Sequence, residues 1–417
     1  MMKNNKPEIR FKGFSEEWVE KKLGDVANLE NGFAFKSEFF KDEPTDAILL
    51  TPGNVNIGGG FQEGKGRFYD MSGNFPKKFI LKPEDIFVTM TDLTPTGQTL
   101  GLPAVVPNDG NIYLHNQRLG KMTDFKGDKS FLFQLLSSEQ IHRQIVQTAS
   151  GTTVKHSSPQ RILNCLNYFP SKNEQTQIGN FFKNLDNLIS LHQRKYEKLG
   201  ILKKAMLEKM FPKNGADVPE IRFKGFSGAW EEKTLGEICV IGDIDHRMPE
   251  SVTDGIPYIM TGSFTGINDI DFKDSKLIST EDYEQLAKKI KPEMGDILFA
   301  RYASVGAVRY VETQMKFLVS YSCAILKNNS TFNSKYLFYY LQSKETQRQI
   351  ELEINTGSQR NIGIDSLKKL NIFIPQDTEQ AKIGNYFKNL DNLLTLHRGE
   401  LEKLQHLKKA LLEKMFV

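Results

Sequence analysis

Two copies of one helix-forming stretch constrain this chain more than any other feature. Residues 173–211 read NEQTQIGNFFKNLDNLISLHQRKYEKLGILKKAMLEKMF, and residues 378–416 read TEQAKIGNYFKNLDNLLTLHRGELEKLQHLKKALLEKMF. Set over each other at an offset of 205 they agree at 26 of 39 positions, so the chain is an internal duplication. In the first copy apolar side chains recur in three rows, Ile178, Leu185, Leu199 and Met206, then Phe181, Leu188 and Leu202, then Phe182, Ile189, Tyr196 and Met210. The second copy repeats them as Ile383, Leu390, Leu404 and Leu411, then Tyr386, Leu393 and Leu407, then Phe387, Leu394, Leu401 and Met415. Sevenfold spacing of this kind predicts two helices, each with an apolar seam three rows wide. An uncovered seam would leave a stripe of apolar surface in water, so the two should pack on each other, antiparallel. His192 and His397 share one seam position near mid-helix, and that packing brings them together.

The starts of both copies resemble helix caps, Ser171 with Glu174 and Asp377 with Gln380 three residues on. Pro212 and Gly215 stop the first helix. At about 1.5 Å per residue such a helix spans roughly 55 Å, too long for one small domain and suited to a strut between two bodies.

A second duplication opens each half. Residues 7–26, PEIRFKGFSEEWVEKKLGDV, and 219–238, PEIRFKGFSGAWEEKTLGEI, agree at 14 of 20 positions. Between these shared ends, residues 27–172 and 239–377 have diverged. Short apolar runs bounded by Gly, Pro, Asn and Asp give both middles a β-rich character, with helices expected at 130–147, 281–289 and 334–351. Each closes with a glycine-containing loop, SGTTVKHSSPQRI or TGSQRNIGIDSL, before the long helix.

With 417 residues, there is chain enough for two or three cores. Cys165, Cys239 and Cys323 show neither disulfide nor zinc spacing, which fits a reducing cytoplasm. The opening residues MMKNNKPEIRFKGF lack a signal-peptide core, and no apolar run approaches the roughly 18 residues of a membrane span. A net charge of +4 is compatible with nucleic acid but does not by itself argue for it.

Catalytic patterns are missing. GGFQEGKG around Gly59, Gly64 and Lys65 approaches a phosphate loop, yet Gly66 stands where a hydroxyl should meet magnesium. Asp124 with Lys126 and Asp271 with Lys273 give the Asp-x-Lys of many nucleases, with no Pro-Asp pair to supply the partner carboxylate. None of the 16 prolines adjoins another, as in the loop of an amino-methyltransferase, and none precedes a cysteine, as a cytosine-C5 enzyme requires. The 7 histidines show no metal-ligand spacing.

Polar loops instead offer binding groups: Lys36 in NGFAFKS, Arg118 in HNQRLG, and Lys155 with His156 in TTVKHSS. In the second half their counterparts are His246 and Arg247 in DIDHRMP, Arg301 in LFARYAS, and Arg360 with Asn361 in GSQRN. Arg and Asn can bond base edges in pairs, and Lys can bond phosphates. Each also reads as a solvated loop side chain.

Taken together, the paired PEIRFKGFS openings, NGFAFKS, GDILFAR, SGTTVKH, TGSQRNI, IGNFFKNLDNLISLH and IGNYFKNLDNLLTLH resemble the DNA-specificity subunit of type I restriction-modification systems across nearly the whole chain. The resemblance implies an α+β fold with a pseudo-two-fold internal repeat, in which two globular β-rich target-recognition domains are held apart by two long antiparallel coiled-coil helices. The domains would be residues 1–172 and 214–377, and the helices residues 173–213 and 378–417. Each domain would read one half of a bipartite asymmetric site in double-stranded DNA. The helix pair, with Ile178, Leu185, His192 and Leu199 facing Ile383, Leu390, His397 and Leu404 in its seam, would set the spacing and dock two methyltransferase subunits. Restriction and translocase subunits would complete a cytoplasmic, membrane-free complex. The chain itself would be non-catalytic and bind no cofactor or metal; S-adenosylmethionine, ATP and Mg would belong to the partner subunits. The alternative is a duplicated coiled-coil scaffold whose globular ends bind protein rather than DNA.

Overall fold

The computed structural model describes residues 5–213, 215–328, 332–355, 357 and 359–416. Thr356 and Ser358 of the TGSQRNI loop therefore lie outside the described residues. The chain divides into two compact units, one formed by residues up to 191 together with those from 401 on, the other by residues 192–400. Each unit thus holds one β-rich body and a portion of both long helices.

In the first unit the opening strand Val19–Lys22 pairs antiparallel with Leu166–Phe169, which brings the two ends of the body together. Between them lie a four-stranded antiparallel sheet, in the order Asn28–Asn31, Leu119–Thr123, Ile86–Thr89, Pro103–Val105, and a five-stranded sheet in which Ala47–Leu49 runs parallel to Ile112–Leu114. Ile86–Thr89 is buried at every residue, its apolar Ile-Phe-Val run filling the centre of the sheet. The second unit repeats the plan: Glu231–Thr234 pairs with Asn371–Ile374, and the four-stranded sheet runs Ile241–Gly242, Cys323–Leu326, Ile297–Ala300, Val308–Tyr310. Its fully buried central strand is Ile297–Ala300.

The helices expected at 130–147 and 334–351 are each broken in two, into Lys129–Ser137 and Glu139–Gln147, and into Ser334–Tyr340 and Lys344–Glu353. A serine makes both breaks. Ser138 and Ser343 take an extended conformation and accept a bond from the amide three residues on, which caps the next helix and ends the previous one.

The long helices are Lys172–Lys209 and Asp377–Met415. Within the first unit Phe182 meets Phe416 at 6.1 Å, and Asp186 bonds Lys408 at 2.7 Å. Within the second, Phe211 stacks on Phe387 at 5.7 Å, and Lys203 meets Asp391 at 2.6 Å. Rising numbers in one helix meet falling numbers in the other, so the helices pack antiparallel in each unit. The two sets of contacts correspond under the 205-residue offset: Asp186 matches Asp391, and Lys203 matches Lys408.

The seam is narrower than its sequence pattern. Ile178, Leu185, Ile383 and Leu390 are buried, and Leu199 and Leu404 pack partly buried against the same cores. His192 and His397 face each other, with Nδ1 atoms 3.2 Å apart. Of the three rows, however, Leu188, Leu202, Leu393 and Leu407 are exposed. A two-helix contact covers only two positions per heptad, and the remaining row lies on its flank. The ends of that row are used differently: Phe181 meets Phe11 at 5.6 Å, and Tyr386 meets Phe223 at 5.7 Å.

Glu174 is not a capping acid. Its buried carboxylate takes two bonds from Arg10 at 2.7 and 2.8 Å, while Glu379 takes two from Arg222, both at 2.7 Å. The opening repeat is thereby fastened to the helix repeat in each unit by a two-pronged Arg–Glu pair. At the second start, the Gln380 amide bonds the Pro375 carbonyl at 2.8 Å and Asp377 more weakly at 3.3 Å.

Candidate nucleic-acid interface

In the first body the loops that carry the sequence candidates converge at one end of the four-stranded sheet. Phe33, in the loop bearing Lys36, donates its amide to the His115 carbonyl at 2.8 Å and accepts from Gln117 at 2.9 Å. A Cβ on Gly32 would lie 2.1 Å from the Asn116 carbonyl oxygen, so this close approach requires glycine. Met90, ending the central strand, bonds the Arg118 carbonyl through its amide and accepts from Ser157 through its own carbonyl. Lys155–His156 then pairs antiparallel with Thr91–Asp92. Lys36, Arg118 and His156 are exposed and Lys155 partly so, which leaves basic side chains at the surface of a backbone-bonded junction.

Asp92 builds the neighbouring loop. Its buried carboxylate accepts from the Thr94 amide and hydroxyl at 2.7 and 2.6 Å, and from the Thr99 amide and hydroxyl at 2.5 and 2.7 Å. Burial raises its pKa, but these bonds outweigh burial and hold it below the ordinary carboxylate value.

The second body brings the equivalent segments together around a charge network. The Arg301 amide donates to the Ser322 carbonyl, the Ile362 amide donates to the Arg301 carbonyl, and Tyr302 bridges Asn361. Here one candidate differs from its expected exposure: Arg301 is 6% exposed. Its guanidinium bonds Asp243, the Ile362 carbonyl at 3.0 Å and the Tyr321 carbonyl at 3.3 Å, so it ties the loops together instead of facing solvent. His246 is exposed and bonds Asp243 through Nε2 at 3.2 Å. Arg247 pairs with Asp282 at 2.7 Å and bonds Gln285 at 3.0 Å. Arg360 pairs with Glu351 at the surface, and Asn361 bonds the Gln359 carbonyl at 2.8 Å.

Sequence reading missed Asp243, Tyr302, Tyr321 and Lys289. His246 stacks on Tyr321 with centroids 4.7 Å apart, Tyr302 meets Tyr321 edge-on at 6.2 Å, and Lys289 bonds Asp243 at 3.2 Å. Asp243 and Tyr302 lie inside the candidate motifs DIDHRMP and LFARYAS, and that placement was the only signal the sequence carried for them.

Gly58, Gly59, Gly60 and Gly64 all have positive φ, and no helix follows them, so GGFQEGKG is a turn and not a phosphate loop. Asp271 accepts from the amides of Lys273 and Asp274, a local turn contact. Burial pushes the thiols of Cys165, Cys239 and Cys323 up to about 11, 12 and 12, away from nucleophilic thiolate. Among the described residues no group of His, Cys, Asp and Glu could hold a metal ion, and no helix is long and apolar enough to cross a membrane.

Residues 15–200 and 228–406 match the family described as the type I restriction modification DNA specificity domain. The chain is 22% identical over 433 residues to the type I restriction enzyme EcoBI specificity subunit of Escherichia coli, covering 96% of this chain and 86% of that protein. It is 22% identical over 296 residues to the MjaVIII specificity subunit of Methanocaldococcus jannaschii, 68% of each chain. A crystal structure of a type I restriction-modification S subunit from M. genitalium shares the fold with a TM-score of 0.60, at 16% identity and over 99% of both chains.

Proposed function

Because this chain belongs to the type I restriction-modification DNA-specificity family and is the non-catalytic specificity subunit of such a system, we propose that each of its two bodies reads one half of a bipartite, asymmetric site in double-stranded DNA. One observation carries this reading. Both bodies bring the same segments to the same end of the same four-stranded sheet, yet Lys36, Arg118, Lys155 and His156 stand there in one, and His246, Arg247, Arg360 and Asn361 in the other. A common frame with different side chains is what two readers of different bases need. The recognition domains are the bodies within residues 1–172 and 214–377, each leading into one of the long helices Lys172–Lys209 and Asp377–Met415.

The helix pair sets the spacing between half-sites and docks methyltransferase subunits, two per chain. S-adenosylmethionine is bound by those partners, and ATP with Mg by restriction and translocase subunits. Charge supports DNA as the ligand only locally, since the exposed candidates are mostly cationic while the chain as a whole carries +4.

The test is methylation of a randomised duplex library by the chain with its partner methyltransferase. An asymmetric two-part consensus with a fixed gap is the expected result. Methylation without sequence preference, or at a single continuous site, would overturn the reading.

A further inference from the structure

The geometry around Asp243 points to His246 as a base-reading residue of the second body, its free Nδ1 accepting a hydrogen bond from an exocyclic base amine, adenine N6 or cytosine N4, with Asp243 as its positioning residue. This inference rests on the DNA-reading function proposed above.

Asp243 is 7% exposed and bonded on both oxygens: Oδ1 takes Lys289, and Oδ2 takes Arg301 and His246 Nε2. Burial alone would raise its pKa. The bonds from His246 and Lys289, with the charges of Arg301 and Lys289, reverse that and hold it below the ordinary value, so the carboxylate is ionised. An ionised carboxylate can only accept. Nε2 of His246 must therefore carry the hydrogen, and in the neutral ring Nδ1 is left as an acceptor.

The ring is also fixed in orientation. One face lies on Tyr321 with an interplanar angle of 22°, and Tyr321 is itself braced edge-on by Tyr302. Nδ1 has no hydrogen-bond partner among the described residues, and the side chain is 59% exposed. An oriented, solvent-facing acceptor of defined tautomer matches the amine that adenine or cytosine presents in the major groove, and mismatches the O6 of guanine and O4 of thymine. The first body lacks this device. His156 there bonds the Thr91 hydroxyl at 3.3 Å, and a hydroxyl can donate or accept, so it selects no tautomer.

The test uses the full chain with its partner methyltransferase on the randomised library. His246→Phe keeps a ring on Tyr321 and removes both nitrogens. Discrimination at one base pair of one half-site should fall roughly tenfold, the scale of one hydrogen bond, with the other half-site and the gap unchanged. Asp243→Asn should weaken the whole half-site through the lost Arg301 and Lys289 contacts and, beyond that, alter preference at that same base pair; this base-specific part should vanish in the His246→Phe background. An unchanged consensus with His246→Phe would overturn the inference while leaving the two-reader function standing. Equal loss across the whole half-site with His246→Phe would also overturn it, as would a base-specific effect of Asp243→Asn that is the same in both backgrounds, since each marks a structural role. Absence of any two-part consensus with the unsubstituted chain would instead refute the parent reading.

Discussion

Lys203→Met should cost the chain much more stability than Lys408→Met, although the two lysines occupy equivalent places in the duplication. Lys203 meets Asp391 with side-chain exposures of 12% and 6%, whereas Lys408 meets Asp186 with exposures of 18% and 33%. The surroundings sharpen the difference. Asp391 accepts from the buried Tyr339 hydroxyl at 2.8 Å, and Lys203 lies 5.5 Å from the Tyr339 ring centre. Oδ1 of Asp391 has the lysine ammonium 2.6 Å away but off the hydrogen-bonding direction, so its compensation is chiefly Coulombic. Removing Lys203 strands a buried carboxylate, at a cost of ~3 kcal/mol or more. Asp186 can reach water and keeps a bond from Gln134 at 2.8 Å, so loss of Lys408 should cost ~1 kcal/mol or less. For a unit of this size these correspond to falls in Tm of ~6–12 °C and ~2–4 °C. Calorimetry of the single variants, and of Lys203→Met combined with Asp391→Leu, provides the assay. The double variant should recover part of the loss, because a buried ion pair can be exchanged for apolar packing with little penalty, while the Tyr339 hydroxyl loses its acceptor. Equal shifts for the two lysines, or a double variant worse than Lys203→Met, would refute the argument.

Replacing His192 and His397 together with Leu should raise Tm, since two polar rings sit in an apolar seam. The His397 pKa is lowered by burial first, then by His192 and Lys195, so the unfolded chain binds this proton more readily; its contribution is complete above the ordinary value of 6.5 and is lost as pH falls below it. The double Leu variant should therefore lack that loss in acid melts, and an identical pH profile would contradict the assignment. Arg10→Ala and Arg222→Ala should each destabilise by about 3 kcal/mol in a denaturant titration, because each strands a buried glutamate; a change below 1 kcal/mol would contradict this. Residues 1–213 alone should form a homodimer by light scattering, with Asp186 and Lys203 pairing twice, and with the partner methyltransferase should direct methylation to an interrupted palindrome. A monomer at micromolar concentration would show the helices are not interchangeable.

The frame was legible in the sequence because duplication prints the same signal twice: both long helices, their antiparallel seam and the His192–His397 contact follow from the 205-residue offset. The breaks at Ser138 and Ser343 were not, since apolar periodicity runs on through a serine whose capping role depends on its backbone angles. The true role of Glu174 was hidden because its partner, Arg10, lies 164 residues away. The candidate loops were chosen by composition, and the structure brings them together in each body. Arg301 looked like its neighbours because sequence does not show burial, and Asp243 was passed over because the sequence does not show which of the two acids in IGDIDHR meets Lys289, Arg301 and His246.

The most direct test of the two-reader account replaces residues 239–377 with the corresponding body of another specificity subunit and keeps both long helices. Methylation by the exchanged chain with the partner methyltransferase is then mapped across a genome. The account predicts that one half of the methylated site changes while the other half and the gap between them remain as before. A change in both halves, or in the gap, would contradict it.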